Sequence, residues 1–122
     1  MSLISIIGLV FLGGGLGSLC RLAVGRVALN LYEGDFPLGT LISNTVACLI
    51  LGLTVFFFRE RLAHHDWARY LILTGFCGGF STFSTFSMET VKLFQNGLFL
   101  IGIANVLVSI ALGIAVLFIL AK

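Results

Sequence analysis

Four long runs of apolar residues, separated by short polar segments, divide the chain. The first run extends from Leu3 to about Leu31 and carries only two charges, at Arg21 and Arg26. A transmembrane helix needs about 20 apolar residues to cross the hydrocarbon core, and each run reaches about that length. The pattern therefore predicts an all-α membrane protein with four transmembrane helices. Their approximate ranges are 3–31, 38–58, 70–88 and 93–121.

The runs are too long and too uniform for β-strands. Strands seldom exceed about ten residues, and the strands of a transmembrane barrel alternate between apolar and polar positions. The predicted connections are a loop at Tyr32–Pro37, a longer polar segment at Arg59–Arg69 and a short turn near Glu89–Lys92. We therefore expect one four-span domain over residues 1–122.

The composition supports the same interpretation. Apolar residues make up 59% of the 122 residues, charged residues only 10%, and the mean hydropathy is +1.16. Soluble domains are about 45–50% apolar and about 25% charged, and a chain this short buries too little surface to hide the excess. A soluble enzyme, an extracellular disulfide scaffold and a disordered regulator are excluded, and the lipid bilayer is the expected environment.

The basic residues specify the orientation in the membrane only weakly. With four spans, one side carries four basic residues and the other carries two or three. These are Arg59, Arg61, Arg69 and Lys122 on the first side, and Arg26, Lys92 and the borderline Arg21 on the second. So small a difference permits either one fixed topology or both orientations together, and the second case permits an antiparallel dimer. The net charge of +2 is too small and too scattered for nucleic-acid binding.

The third run contains the most unusual sequence. Gly75, Gly78 and Gly79 precede five hydroxyl residues within the seven positions from Ser81 to Ser87. This combination predicts a helix that is broken near its middle. Non-helical backbone at this depth is tolerated only inside protein or beside a water-filled path, and the carbonyl oxygens that it frees are potential ligands for a cation such as Na⁺. The alternative is close helix packing through small residues.

Phenylalanines repeat at every third position through the same segment, at Phe80, Phe83 and Phe86. On a helix this spacing brings Phe83 and Phe86 to one face and turns Ser84 and Thr85 toward another. A phenyl ring has a positive edge. Ring edges and hydroxyl donors together therefore suit the weak, reversible binding of a small anion.

Polar residues in the other runs each have two interpretations. Asn44 offers two N–H donors, either to a permeation path or to an interhelical hydrogen bond. Asn105 and Ser109 lie four residues apart and either line such a path or cross-link helices. Arg21 either extends to the interface or gives a positively charged vestibule.

Two further groups have a structural interpretation. Gly13 and Gly17 form a small-residue pair that lets helices approach closely. The adjacent His64 and His65 do not make a metal site by themselves, and we expect a solvated loop there. Three cysteines in separate apolar runs, without C-x-x-C spacing, are expected to be small core residues.

Three motifs resemble those of the fluoride channel family known as Fluc or CrcB. They are G-G-x-x-G-x-x-x-R at 13–21, G-T-x-x-x-N followed by a glycine at 39–52, and G-x-C-G-G-x-[ST]-T-F-S-T-F-S at 75–87. The third is highly specific, and together the motifs cover nearly the whole chain in order. The resemblance implies an antiparallel, dual-topology homodimer with two fluoride pores and a structural Na⁺ at the dimer centre. It also implies a location in the inner (plasma) membrane of a bacterium.

The resemblance assigns pore roles to five residues. Phe83 and Phe86 match the paired phenylalanines whose ring edges meet the ion, and Asn44 matches the pore asparagine. Ser84 and Thr85 match the hydroxyls beside the rings. Passive export of cytoplasmic fluoride, which lowers its toxicity, is the function that this resemblance implies.

Other matched positions have supporting roles. Gly78 and Ser81 match the positions whose backbone carbonyls hold Na⁺, and the serine in place of a frequent threonine leaves such a ligand unaffected. Arg21 and Thr40 match positions with a vestibule or structural role. Glu89 matches an acidic position to which the resemblance gives no defined role.

The main competing interpretation is a proton-coupled exporter of the small multidrug type, which also has four spans. Such an exporter needs a carboxylate in its first span, whereas the first acidic residue here is Glu33, in a loop. A non-conducting accessory subunit would explain the glycines and serines but not the ordered rings. No nucleophile–base pair is visible in the sequence, so an enzyme is not expected.

Overall fold

The secondary structure over residues 1–121, the part of the chain that the computed structural model describes, consists of helices. The elements in chain order are α1 (Leu3–Leu31), α2 (Leu38–Phe58), a 3₁₀ helix (Arg59–His64), α3 (Asp66–Ala68), a π-helix (Arg69–Cys77), α4 (Gly78–Phe80), α5 (Phe83–Gln95) and α6 (Phe99–Leu120). Four segments are long and apolar enough to cross a membrane, namely Leu3–Leu31, Leu38–His64, Asp66–Gln95 and Phe99–Leu120. The predicted all-α fold with four spans is therefore confirmed. Lys122, one of the basic residues counted above, lies outside the described residues.

Helices α1 and α2 have the same bounds as the first two predicted runs, and local signals mark their starts. The Ser2 hydroxyl caps α1, because its Oγ accepts a hydrogen bond from the Ser5 amide at 3.2 Å. Pro37 precedes α2, where a missing N–H removes no helical hydrogen bond. Its carbonyl accepts the first bond of the helix from Leu41, at 3.2 Å.

The third span changes its backbone geometry twice. A π-helix leads into the single turn α4, and the backbone is then extended at Ser81 (φ −81°, ψ 158°) and Thr82 (φ −153°, ψ 118°). We call Ser81–Thr82 the interruption. Gly78, by contrast, has helical angles (φ −63°, ψ −38°). The hydroxyl residues rather than the preceding glycines therefore leave the helical conformation.

The prediction of a turn near Glu89–Lys92 is wrong, because that segment lies inside α5. The turn lies at Asn96–Leu98 instead. Gly97 takes a φ of +77°, and the Leu98 amide donates to the carbonyl of Leu93 at 2.8 Å. This is a Schellman motif, in which a glycine ends the helix. The third span consequently ends later, and the fourth begins later, than the polarity of the sequence indicates.

Helix α1 lies with its backbone directly against the π-helix and α4. Gly13 and Gly17 are buried in this contact. A methyl group at Gly17 would collide with the carbonyl oxygen of Phe76 and stand 2.8 Å from the amide nitrogen of Phe80, and one at Gly13 would collide with the carbonyl of Leu71. The glycines thus fix the distance between α1 and the residues that precede the interruption. On the other side of the molecule, α6 packs against α2 and α5.

The surface of the chain is unusually apolar. Large side chains such as Phe11 and Leu100 are more than four-fifths exposed, at 82% and 83%. The largest fully buried side chains are instead polar, since Asn105 and Ser43 are each only 1% exposed. An apolar exterior around a polar interior is what a lipid environment favours, because lipid supplies no partners for polar groups.

Candidate functional site

The interruption is held by the side chain of Asn44, which reaches it from α2. The Thr82 amide donates to Asn44 Oδ1 at 2.7 Å, and Asn44 Nδ2 donates to the Thr82 carbonyl at 3.2 Å. One carboxamide therefore satisfies both backbone groups of a residue that has left the helix. Of the two interpretations open for Asn44, the structure shows the interhelical hydrogen bond. The second N–H of the carboxamide remains available to another acceptor.

The same hydrogen bonds change the surroundings of two carbonyl oxygens. In a continuous helix the Thr82 amide would donate to Gly78, and the Thr85 amide would donate to Ser81. The Thr82 amide donates to Asn44 instead, and the Thr85 amide donates to the hydroxyl of Thr82 at 3.1 Å. The carbonyl oxygens of Gly78 and Ser81 have thus lost their helical donors.

Arg21 also reaches this region, from the middle of α1. Its Nε donates to the carbonyl of Gly79 at 3.2 Å. This carbonyl belongs to α4, whose end has no following helical turn to supply amide donors. Arg21 therefore satisfies a backbone group beside the interruption, and its side chain is half-buried.

The three phenylalanines of the repeat lie on different sides of the interruption. Phe83 and Phe86 follow it, and their ring centroids lie 6.1 Å apart with planes inclined by 42°. Phe80 precedes it, is only 4% exposed and contacts Phe76 edge to face at 5.5 Å. Phe83 is 80% exposed in the single chain. The structure therefore brings together the two predicted pore rings and assigns Phe80 to the core.

A cavity of about 480 Å³ opens between α1, α2 and the interruption. We call it the vestibule. Its polar wall consists of Ser18, Arg21, Arg26, Tyr32, Thr40, Ser43, Thr82, Thr85 and Glu89. Of the predicted site residues, Arg21, Thr40 and Thr85 therefore share one cavity. Ser84 is exposed, and its hydroxyl lies 3.4 Å from that of Thr82.

Two residues that line the vestibule were not predicted from the sequence as site residues. Thr82 combines a backbone bound by Asn44 with a side chain that caps α5, and Ser43 is a fully buried hydroxyl. A threonine before a helical run is a recognisable cap signal. Ser43 has no such signal, because its burial depends on how three helices meet.

The polar residues of α6 have a structural role. Asn105 Nδ2 donates to the Thr90 hydroxyl at 3.0 Å, and that hydroxyl donates to the carbonyl of Phe86 at 2.8 Å. Ser109 donates to Asn105 Oδ1 at 3.3 Å. Of the two interpretations, the structure shows for Asn105 the cross-link between α5 and α6, whereas Ser109 bonds Asn105 within α6.

The histidine pair and the cysteines form no metal site in the part of the chain that the structure describes. His65 Nδ1 lies 2.8 Å from the carbonyl oxygen of Arg61, and its ring meets that of Phe58 at 5.6 Å. Cys20, Cys48 and Cys77 are free thiols. Cys20 is exposed, so the expectation that all three are core residues fails there.

A family model described as "CrcB-like protein, Camphor Resistance (CrcB)" matches residues 8–120. The chain belongs to this family. The match confirms the resemblance that the three motifs indicated. Because CrcB-like motifs and four apolar spans occur together, the chain is a multi-pass membrane protein.

Relatives of this CrcB-like chain include three proteins named "Fluoride-specific ion channel FluC". The one from Solibacter usitatus is 42% identical over 107 residues, covering 88% of both chains. That from Serratia proteamaculans is 47% identical over 104 residues, covering 84% of this chain and 80% of the relative. That from Coxiella burnetii is 43% identical over 109 residues, covering 88% and 87%.

Proposed function

We propose that the protein is a fluoride-selective ion channel through which cytoplasmic fluoride leaves the cell passively. It is a channel and not an enzyme. The observation that carries the proposal is the pair of rings, Phe83 and Phe86, directly after an interruption held by Asn44, in a chain whose relatives are named fluoride-specific ion channels.

The vestibule favours anions. Arg21 and Arg26 both line it, and clustered positive charge raises the local concentration of anions. The hydroxyls of Thr40 and Thr85 on the same wall offer hydrogen bonds in place of lost water. Because the guanidinium of Arg21 is also bound to the backbone of Gly79, the charge is fixed in position.

The two rings carry the anion beyond the vestibule. Their positive edges attract a small anion weakly, which a conduction path requires, since binding must be favourable and still reversible. The second N–H of Asn44 and the hydroxyl of Ser84 add neutral donors beside them. A buried lysine or arginine at this place would hold the ion too strongly to let it leave.

A second copy of the chain completes the pore. Phe83 is 80% exposed in the single chain, and an ion path along an exposed ring would be open to lipid. We infer an antiparallel, dual-topology homodimer with two pores. The small difference in basic residues between the two sides supports insertion in both orientations. We place the dimer in the inner (plasma) membrane of a bacterium.

A structural Na⁺ fits the interruption. The carbonyl oxygens of Gly78 and Ser81 have lost their helical donors, and Gly78 is exposed on the surface of the single chain. Two such oxygens from each subunit would hold the ion at the dimer centre. Bound there, Na⁺ would give the carbonyl oxygens the positive partner that they lost with their N–H donors.

Removal of Na⁺ is expected to destabilise the dimer. Any ion that binds only the folded dimer raises its stability by mass action. Exchange of Na⁺ for choline at constant ionic strength should therefore lower the melting temperature and the dimer fraction, and restored Na⁺ should reverse both. Identical melting curves in the two salts would contradict the Na⁺ site while leaving the channel proposal intact.

The function follows from simple electrostatics. Hydrogen fluoride enters a cell from acidic surroundings as a neutral molecule, ionises inside and is trapped as the anion. A membrane potential that is negative inside favours the exit of an anion by about 2.3 kcal/mol per 100 mV. A passive channel is therefore sufficient to lower cytoplasmic fluoride.

The decisive experiment uses purified protein in liposomes. We expect fluoride efflux, measured with a fluoride electrode after addition of a potassium ionophore, and no chloride efflux under the same gradient. Equal chloride efflux would contradict selectivity. Proton-driven transport of a cationic dye would instead support the multidrug-type exporter, for which α1 supplies no carboxylate.

A further inference from the structure

Two arginines at the end of α2 carry charge that no carboxylate balances. Arg59 and Arg61 are exposed, and neither forms an ion pair with any residue that the structure describes. Glu60 lies between them in sequence and is exposed as well, yet it pairs with neither. Arg69, in the same polar segment, is instead bound to Asp66 at 3.2 Å. The charge that remains available to a ligand is therefore that of Arg59 and Arg61.

Both arginines are anchored to the end of the helix. Arg59 Nε donates to the carbonyl of Phe56 at 3.0 Å, and Arg61 Nη2 donates to that of Phe57 at 2.9 Å. These carbonyls belong to the last turn of α2, which no further α-helical turn follows. Consecutive helical residues lie about 1.5 Å apart along the axis, so the two guanidinium groups are held at nearly the same level. Each keeps free N–H donors for an anion, since a guanidinium has five.

The backbone turns Arg59 back over the helix. Its φ is +47°, and in the part of the chain that the structure describes it is the one residue other than glycine with a positive φ. This conformation is uncommon for a residue that carries a side chain. With it, the guanidinium lies over the ring of Phe56, 4.7 Å from the ring centroid. Strained residues cluster at functional sites, so the conformation points to a role for this arginine.

A cavity of about 560 Å³ lies beside the two arginines. We call it the α2 cleft. It is lined by Val55, Phe57, Phe58, Arg59, Glu60 and Arg61. Val55 and Phe57 belong to the apolar span, and Phe57 is 64% exposed. The α2 cleft therefore has an apolar part on the span and a charged part where the span ends.

Aromatic residues around the α2 cleft indicate the surface of the membrane. Trp67 contacts Phe58 edge to face, with ring centroids 6.2 Å apart. Tyr70 lies nearby in sequence, with the guanidinium of Arg69 5.3 Å from its ring centroid. Tryptophan, tyrosine and basic residues concentrate where the hydrocarbon core meets the lipid headgroups. The apolar part of the cleft thus faces acyl chains, and the charged part faces phosphates.

We propose that the α2 cleft binds one molecule of phosphatidylglycerol. Its phosphodiester accepts hydrogen bonds from Arg59 and Arg61, because guanidinium groups match the geometry of phosphate oxygens. Its upper acyl chains pack on Val55 and Phe57. Two arginines and Glu60 give the cleft a net charge of +1, which fits a lipid with one negative charge. The ammonium group of phosphatidylethanolamine or phosphatidylcholine would add positive charge beside two guanidinium groups.

The single tryptophan of the chain reports on the α2 cleft. Trp67 is 44% exposed and contacts Phe58 of the cleft. The full-length protein is reconstituted in phosphatidylcholine vesicles, in which the same mole fraction of one lipid carries brominated acyl chains that quench tryptophan fluorescence. The brominated lipid is phosphatidylglycerol, phosphatidylethanolamine or phosphatidylcholine. We expect phosphatidylglycerol to quench most strongly, with an affinity about tenfold above that of phosphatidylcholine, the effect of one hydrogen bond to a charged group.

The other outcomes of this comparison would overturn the proposal. Equal quenching by all three lipids would show that the protein is surrounded by lipid without selection. Quenching by phosphatidylethanolamine that equals or exceeds that by phosphatidylglycerol would show that Glu60 attracts the ammonium group instead. Because quenching measures binding, a protein that conducts no fluoride would contradict the proposed function and leave this test intact.

Substitutions locate the binding at the two arginines. Arg59→Gln and Arg61→Gln should each remove most of the preference for phosphatidylglycerol. Arg69→Gln is the matched control, because it removes the same charge from an arginine that is already paired with Asp66, and it should keep the preference. A preference that survives in both cleft variants, or that falls equally in the control, would contradict the α2 cleft as the binding site.

Lysine variants keep the test decisive if the glutamine variants do not fold, since both arginines also bind the end of α2. Arg59→Lys and Arg61→Lys keep the charge but lose the planar group that bonds two phosphate oxygens. We expect each to lower the preference for phosphatidylglycerol, whereas Arg69→Lys should match the wild type. Equal preferences in all three lysine variants and the wild type would show that net charge alone attracts the lipid, and the proposal would fail.

Discussion

At the scale of single residues, the carboxamide of Asn44 replaces the hydrogen bonds that the interruption removes. An extended residue inside a membrane leaves its N–H and C=O without helical partners, and lipid offers none. Asn44 supplies both partners to Thr82. Only a side chain that carries a donor and an acceptor side by side does this, which explains an amide rather than a hydroxyl at this position.

Substitution of Asn44 should impair the channel strongly. Asn44→Ala leaves the backbone N–H and C=O of Thr82 unpaired, at about 1–3 kcal/mol each, so fluoride efflux should fall at least tenfold. Hydrogen exchange at the Thr82 amide should accelerate in the same variant. Asn30→Ala, at the exposed end of α1, is the control. Normal efflux in Asn44→Ala would mean that the interruption persists without its cap.

The two rings give a second prediction at this scale. Phe83→Ile and Phe86→Ile keep most of the apolar volume but remove the positive ring edge. We expect each to reduce fluoride efflux while the dimer remains intact by size-exclusion chromatography. Phe11→Ile, which alters an exposed phenylalanine of α1, should leave efflux unchanged. Unchanged efflux in both pore variants would count against ring-edge conduction.

At the scale of elements, the contact between α1 and the third span positions the interruption. Gly13 and Gly17 of α1 meet the backbone of the π-helix and α4, and a methyl group at Gly79 would collide with the carbonyl of Gly14. Without side chains between them, the two backbones cannot shift independently. Gly13, Gly17 and Gly79 thus act by close approach, and the interruption begins only after them.

An alanine in this contact should destabilise the fold. Gly17→Ala forces the two backbones apart, and overpacking of this kind costs about 1–3 kcal/mol. The melting temperature should fall, and efflux should fall with it. Gly8→Ala is the matched control, because nothing lies within 4 Å of its added methyl group. A melting temperature unaffected by Gly17→Ala would show that α1 adjusts more easily than this geometry implies.

At the scale of the whole molecule, one chain presents on its surface groups that we propose to be functional. Phe83 is exposed, and so is Gly78, one of the two residues proposed to hold Na⁺. Both belong to the third span, on opposite sides of the interruption. A second copy that covers this region would close the proposed pore and complete the proposed cation site at once.

The arrangement of the dimer is open to a functional test. With four spans, both termini lie on one side, so two copies joined by a soluble linker are parallel. A linker that contains one additional transmembrane helix reverses the second copy. We expect fluoride efflux only from the second form, and cross-linking of the unlinked protein should report antiparallel pairs. Efflux from the first form, or only parallel cross-links, would contradict the antiparallel dimer.

Prediction from sequence succeeded where the signal is local. The spans of α1 and α2 follow from long apolar runs with loop signals beside them. The end of the third span did not follow, because Glu89 and Lys92 are polar in sequence but lie on an amphipathic helix that continues to Gln95. Gly97 was the correct signal for the end of the third span, because its left-handed backbone ends the helix.

The sequence by itself determined the number of spans, the lipid environment and the family, because apolar run length and motif spacing are properties of neighbouring residues. Only the tertiary structure decided that Asn44 binds Thr82, 38 residues away, and that Arg21 reaches Gly79, 58 residues away. It also decided that Ser43 faces the vestibule without a partner. Such contacts depend on how closely and at what register helices pack, and no local pattern encodes that distance.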